Sequence, residues 1–543
     1  MKKCFVVFLI TYSCYVKAQS PIENYSFESN LSLAEFGNVV KGIGDVNNDG
    51  YEDIMVAAWK YANGQTNEGA VYIYHGTAGG MNTTPALIIE GNLGSAYFGY
   101  SADRAGDVNN DGYDDIIVGA YKFSNGQTNE GKFFIYHGSA SGINPIAATT
   151  IESNQSSAYM GNSVAGIGDV NNDGFDDVAV GAYYYENGET DEGRVNIYKG
   201  SATGINTTPF AILEANFASI HFGYAVSAAG DVNNDGYDDF MVCGRDYNGV
   251  YVDEGFVYIY HGAASITSPS SIIYGDGHFD HIGDVMAAIG DVNNDGYDDI
   301  ALQHHIVSVN YTVSIHHGSA TGINIAPSVV LATDQDLAGF GNGLSGAGDF
   351  NNDGYDDLII GMDSYDFANG NSGRAGIYIG SSTGINSNIY TSFQVGQGSG
   401  EFGSSVASVG DINNDGFDDV LVGAPYMDNV ENVEGMAFLY FGESCVAQTY
   451  FADYDNDGFG NAMLYTTGCF TVPIGYSVDN TDCDDDEAEK NPTSIWYYDF
   501  DGDGYYAGTG SPINQCDTPA TPNYSIGIIA GDCDDLNLSL IHI

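Results

Sequence analysis

The chain has 543 residues, with 73 acidic and 13 basic side chains and a formal charge of −60. A polyanion of this density does not bind nucleic acid or an anionic membrane by charge. Its carboxylates need cations, and the chain supplies few of its own.

Met1-Lys2-Lys3, the apolar run from Cys4 to Ile10 and the segment Val16-Lys17-Ala18 predict a secretory signal over residues 1–18. Thr11-Tyr12-Ser13 makes a poor lipobox before Cys14. No later stretch approaches the ~18 apolar residues of a membrane span. A secreted or cell-surface protein without a transmembrane segment is expected, where weak calcium sites can fill.

From residue 22 to 442 one pattern recurs. The loop Asp169-Val170-Asn171-Asn172-Asp173-Gly174-Phe175-Asp176-Asp177 has near-copies starting at Asp45, Asp107, Asp231, Asp291, Asp349 and Asp411. The intervals are 62, 62, 62, 60, 58 and 62 residues. Oxygen-bearing side chains at positions 1, 3, 5 and 9, a carbonyl at position 7 and a turn glycine at position 6 suit Ca²⁺, which takes about 6–8 hard oxygens. The expected ligands are Asp45, Asn47, Asp49, Tyr51 and Asp53; Asp107, Asn109, Asp111, Tyr113 and Asp115; and Asp169, Asn171, Asp173, Phe175 and Asp177. They continue with Asp231, Asn233, Asp235, Tyr237 and Asp239; Asp291, Asn293, Asp295, Tyr297 and Asp299; Asp349, Asn351, Asp353, Tyr355 and Asp357; and Asp411, Asn413, Asp415, Phe417 and Asp419. An EF-hand would need a bidentate Glu at position 12 and a following helix. Position 12 is Val56, Val118, Val180, Val242, Leu302, Ile360 or Val422, and short β-branched runs follow. The ion therefore belongs in a turn between strands.

Each repeat predicts four short antiparallel strands. In the third they run from Met160 to Gly168, Val178 to Ala182, Arg194 to Tyr198 and about Phe210 to Glu214. Seven such units predict an all-β, seven-bladed propeller, against a solenoid whose repeats are usually shorter. Phe27-Glu28-Ser29-Asn30 matches the fourth strand of a repeat with no blade before it, whereas the seventh repeat stops at its third strand. The N-terminal strand is expected to complete the last blade. Blade 5 runs short before Gly318, so irregular outer strands are expected there. The 2–3 loops carry Trp59 and Tyr61, Tyr121 and Phe123, and Tyr183 and Tyr185, a candidate ligand face or else packing between blades. Six histidines cluster between His278 and His317, a candidate transition-metal site or else turn residues such as His317.

Phe36-Gly37, Phe98-Gly99, Phe222-Gly223 and Phe402-Gly403 precede the loops, and Gly119-Ala120, Gly181-Ala182 and Gly423-Ala424-Pro425 follow them. This pattern resembles the FG-GAP repeat of the integrin α-subunit propeller. The resemblance implies a calcium-binding propeller in adhesion. Met160, Ile282, Cys243 and Gln303-His304 depart from the motif.

Beyond Cys445 the pattern changes. Asp453, Asp455 and Asp457, then Asp499, Asp501 and Asp503, open two Asp-rich repeats, each followed by an Asp-Cys-Asp-Asp run at Cys483 or Cys533. They resemble MopE-type putative metal-binding motifs and thrombospondin type 3 repeats. The resemblance implies further calcium ligands and a small loop-rich region over residues 445–543. Cys469–Cys483 and Cys516–Cys533 are the favoured disulfides, though four cysteines allow three connectivities. Leu538–Ile543 does not continue the repeat, so a longer natural chain is expected.

No His-Glu-x-x-His helix is present. The expectation is a monomeric, non-catalytic propeller that binds an extracellular protein or glycan. A polysaccharide lyase or hydrolase built on the same scaffold is the alternative.

Overall fold

The computed structural model of the protein describes residues 25–306, 310–333, 335, 337–366, 372–395 and 398–443, together with eight strands beyond residue 447. The signal segment, the tail cysteines and Asp453, Asp455, Asp457, Asp499, Asp501 and Asp503 lie outside the described residues. The chain divides into two compact units, Met1–Ser444 and Cys445–Ile543.

The first unit holds seven four-stranded antiparallel sheets. Blade 1 is Phe36–Gly44, Asp53–Ala58, Ala70–Tyr74 and Leu87–Glu90, in that spatial order. The first strands of successive blades touch one another around the ring, and the first strand of blade 7 touches that of blade 1. Among the described residues there is no helix. The second strand of every blade except the fifth is buried along its whole length, as in Asp177–Ala182. Such a strand is covered on both faces by neighbouring blades, which explains continuous runs such as Ile116-Ile117-Val118 in place of alternation.

Closure is direct. Blade 7 has the order Ser405–Gly410, Asp419–Ala424, Met436–Tyr440, then Tyr25–Glu28. Tyr25 pairs with Leu439 and Glu28 with Met436, antiparallel. Phe27 is 2% exposed and its ring lies 4.7 Å from that of Tyr74 in blade 1.

The observed strands are shorter than expected at some ends. In blade 3 the first strand begins at Val164, and the fourth covers Ala211–Leu213. Blade 5 departs more. Its second and third strands, Asp299–Ile306 and Asn310–His316, pair continuously out to Ile306 and Asn310. The missing residues removed the polar loop and lengthened the hairpin ladder, so the third strand is longer and more regular than expected.

The glycines of the repeat are contact points. A Cβ on Gly181 would lie 2.2 Å from the carbonyl oxygen of Gly223 in the next blade. The glycine near the end of the second strand and the glycine after the phenylalanine are thus paired across the blade junction, where neither tolerates a side chain.

The second unit has two three-stranded sheets. Gln448–Ala452 lies between Asn461–Gly468 and Tyr476–Ser477, and Ile495–Tyr498 lies between Ile513–Asn514 and Tyr524–Ile526. Tyr505–Tyr506 pairs in parallel with Ile529–Ala530.

Candidate metal centres and the opposite face

The seven acidic loops join the first and second strands, so all lie on one face of the disc. Each is a knot of backbone N–H groups closed on carboxylates. Asp45 Oδ1 accepts from Asp49 N at 3.0 Å and its Oδ2 from Gly50 N at 2.7 Å. Asp49 Oδ1 accepts from Tyr51 N at 3.1 Å. Gly50 has φ +90°, the conformation its position 6 requires. The same position 1 bonds recur at Asp107, Asp169, Asp231, Asp291, Asp349 and Asp411.

The ninth residue is deeper. Asp53 is fully buried; its Oδ2 accepts from Val46 N and its Oδ1 from Gly76 N. Burial, only partly offset by these bonds, pushes its carboxyl up to about 8. Asp115, Asp239, Asp299, Asp357 and Asp419 are raised to about 8 and Asp177 to about 7, all chiefly by burial. A buried carboxylate without a counter-charge favours its neutral form, and a bound cation would reverse that preference.

The third residue carries the clearest sign of an ion. The Oδ1 atoms of Asn47, Asn109, Asn233, Asn293, Asn351 and Asn413 are buried with no hydrogen-bond partner. Asn351 as a whole is only 6% exposed. Buried acceptors normally find a donor, and leaving one bare costs about 1–3 kcal/mol. Here six equivalent oxygens are bare, each in a loop of carboxylates. The donor set is all hard oxygen, which suits Ca²⁺ rather than a soft metal. In these six loops the residues present fit the ion. Loop 3 is wired differently: Lys199 Nζ donates to Asn171 Oδ1 at 2.8 Å, and Asn171 Nδ2 donates to Asp177 Oδ2 at 2.7 Å.

Two positions serve a purpose that spacing did not disclose. The eighth residue reaches the preceding blade: Asp114, Asp176, Asp238, Asp298, Asp356 and Asp418 accept the backbone N–H of Asp45, Asp107, Asp169, Asp231, Asp291 and Asp349. The fourth residue reaches forward: Asn48 Nδ2 donates to Gly112 O at 3.0 Å, and Asn110, Asn172, Asn234 and Asn294 repeat the bond. At the ring's seam Asn414 donates to Gly50 O. Each of these asparagines has positive φ, near 55°, which Asn tolerates better than most residues. The acidic turns are thus clasped into a ring. The signal that could have found this is the invariance of both positions from copy to copy, Glu52 excepted.

On the opposite face the paired aromatic residues divide. Tyr61 is 6% exposed, and its hydroxyl donates to Glu90 at 2.9 Å. Phe123 and Tyr185 pack against blade cores, under Lys132 and Arg194 respectively. These three belong to packing, because a turn folds them back; Tyr61 N donates to Ala58 O. Trp59 and Tyr183, both half-buried, and Tyr121, 9% exposed, instead join rings from the blade-to-blade loops. Trp59 lies 5.1 Å from Tyr97, Tyr97 5.7 Å from Tyr121, Tyr121 5.9 Å from Tyr159 and Tyr159 5.7 Å from Tyr183. The arc continues to Tyr224 in blade 4. A hollow of about 490 Å³ opens beside Tyr121, Lys122, Tyr159, Tyr183 and Tyr184. Tyr97, Tyr159 and Tyr224 went unnoticed in the sequence because they lie outside the 2–3 loops.

Beyond the arc, Asp246 accepts from His221 and lies 3.1 Å from His281. Burial opposes its ionisation, yet these contacts and Arg245 hold the carboxyl well below the usual range. His281 is correspondingly raised by its bond to Asp246. In blade 5 Asp280, His304, Ser314 and His316 form a chain of contacts of 3.1, 2.8 and 2.9 Å. A carboxylate, an imidazole and a hydroxyl in series have the connectivity of a nucleophilic triad. Ser314 is 1% exposed, however, so no substrate reaches it. Asp276, Asp280 and His304 bring three potential ligand atoms close together, one residue of the histidine cluster among them. His317 is a turn residue, seated against Gly384 of the next blade.

Among the described residues, no helix is long and apolar enough to cross a membrane. The FG-GAP repeat matches residues 160–198 and 402–438, and an FG-GAP-like repeat matches residues 45–118. Integrin alpha-V of Gallus gallus is 37% identical over 209 residues, covering 37% of this chain and 19% of that protein. Integrin alpha-6 of Homo sapiens is 36% identical over 169 residues, 31% of this chain and 14% of that protein. Integrin alpha-5 of Xenopus laevis is 29% identical over 252 residues, 45% and 23% respectively. The matched stretches span less than a quarter of the length of these relatives. With the seven-bladed ring, the repeats and the integrin α relatives support an FG-GAP β-propeller.

Proposed function

We propose that this chain is a calcium-braced, non-catalytic adhesion or ligand-binding propeller working outside the cell or on its surface. The observation that carries the calcium reading is the set of six buried, partnerless asparagine oxygens, each at the third position of an acidic loop. Calcium supplies the counter-charge that the acidic face lacks and holds the turns in the conformation that clasps the blades together. The relatives bear the name integrin, which supports adhesion as the role. The ligand surface is the opposite face, where the aromatic arc offers broad, rigid rings to a glycan or protein.

Two measurements test this. Calorimetric titration of the chelator-treated protein with Ca²⁺ should show binding and a rise in melting temperature; no binding removes the calcium reading. A glycan and matrix-protein array probed with the wild type and with Trp59→Ala or Tyr183→Ala should show loss of a ligand in the variants at unchanged folding. Identical array profiles would remove the aromatic face as the binding surface.

A further inference from the structure

We propose that the third acidic loop is closed by the protein's own ammonium group and takes no calcium. This rests on the calcium reading of the other six loops.

Across the repeats one position directly follows the third strand. It is His75, His137, Lys199, His261, His317, Ile379 and Phe441 in blades 1 to 7. Lys199 is the one cation of permanent charge in that set. Asn171 is also the one third-position asparagine of the seven whose Oδ1 is partnered. The coincidence has a direct cause. Lys199 Nζ lies 2.8 Å from Asn171 Oδ1 and 3.5 Å from Asp173 Oδ2. Its side chain also crosses Phe210, with Nζ 4.2 Å from the ring centroid. An ammonium donates three hydrogen bonds and carries positive charge, so it meets the demand that a metal ion meets elsewhere.

The surroundings changed with it. His75, His137, His261 and His317 each lie against a glycine of positive φ in the next blade: Gly142, Gly204, Gly322 and Gly384. The turn that follows Lys199 across the junction is Ala263-Ala264-Ser265-Ile266, one residue shorter and without a glycine. With no such seat to fill, the lysine turns inward to the loop. The loop's internal wiring adapts as well. Val170 N bonds to Gly168 O, and Asp177 takes Asn171 Nδ2, whereas in blade 1 the corresponding Val46 N bonds to Asp53. A divalent ion entering here must expel the ammonium or sit beside a like charge. Loop 3 is therefore shut whether or not calcium is present.

The test uses the full-length chain, with Ca²⁺ as the probe. Bound calcium is counted by atomic emission after equilibrium dialysis, for the wild type, K199H, K199M and K199R. K199H and K199M should bind one ion more per chain than the wild type, and K199R the same number. Deuterium uptake of the peptide spanning residues 169–177 provides a readout that needs no variant. In the wild type that peptide should stay equally protected in EGTA and in Ca²⁺, while the peptides of the other six loops exchange faster in EGTA. Equal calcium counts in wild type, K199H and K199M would overturn the proposal, as would calcium-dependent protection of the wild-type third loop. If no loop of the wild type responds to calcium, the parent reading falls. The comparison of wild type with K199M in EGTA then still decides whether the ammonium closes loop 3, since the variant should exchange faster there and unchanged exchange would overturn it.

Discussion

Asp298 of blade 5 accepts the backbone N–H of Asp231 in blade 4 at 2.7 Å. The approach is possible because Gly230 has φ +75° and no side chain; a Cβ there would lie 2.1 Å from Asp298 Oδ2. Two carboxylates of the acidic repeat therefore have different tasks. Asp231 closes its own turn, and Asp298 fastens that turn to the next blade. Asp298→Ala should lower stability by about 1–3 kcal/mol, the cost of stranding a partly buried donor, and leave the calcium count unchanged. A lost ion in Asp298→Ala, by equilibrium dialysis, would make the eighth residue a ligand instead.

The bare asparagine oxygen gives a test whose sign depends on the solution. In EGTA, Asn293→Ala removes an acceptor that has no donor, so unfolding free energy should change little or rise. In saturating Ca²⁺ the same variant should lose one ion and become less stable than the wild type. Denaturant melts in the two buffers check this; an equal loss in both would mean that Asn293 contributes through packing alone.

Acidity should act on the metal-free protein in an unusual direction. Asp53 and its counterparts are raised by burial to about 7 or 8 in the folded state, from an ordinary 3.8. Between pH 4 and 8 the folded chain thus binds more protons than the unfolded one, so stability rises as pH falls through that range. In EGTA the melting temperature should be higher at pH 5.5 than at pH 8. Calcium, which stabilises the charged form, should flatten or invert the slope. A metal-free protein whose melting point rises with pH over this window would contradict the assignment.

Closure rests on four residues. Phe27→Ala empties a buried aromatic site and should cost about 3–5 kcal/mol. Deleting Tyr25–Glu28 should do more, since it leaves Met436–Tyr440 as a bare edge open to pairing between chains. Light scattering on warming should show earlier association for the deletion than for the point variant. Equal behaviour would mean that the edge is protected by something other than this strand.

Much of the architecture was legible because one constraint repeats. Glycine at loop position 6, the β-branched second strand and the fixed interval recur seven times, and a local reading repeated seven times fixes a global one. The spare strand at Phe27 gave closure for the same reason. What the sequence hid is whatever depends on partners across a junction. Nothing near Asp298 says that it reaches Asp231, and nothing near Tyr121 says that Tyr97 and Tyr159 flank it while Phe123 turns into the core. Lys199 was hidden in plain view: its reach into loop 3 depends on a rotamer and on a turn that begins 64 residues further on. Blade 5 misled because a deletion reads as damage, whereas a shorter connection can simply extend a ladder.

The pairing of Tyr25 with Leu439 also sets an order of events during biosynthesis. The earliest strand of the ring to leave the ribosome has no partner until the last has followed, so the seventh sheet is completed after the other six have had every opportunity to form. A chain arrested in transit anywhere before residue 436 would hold an open crescent, with its first strand waiting in solvent.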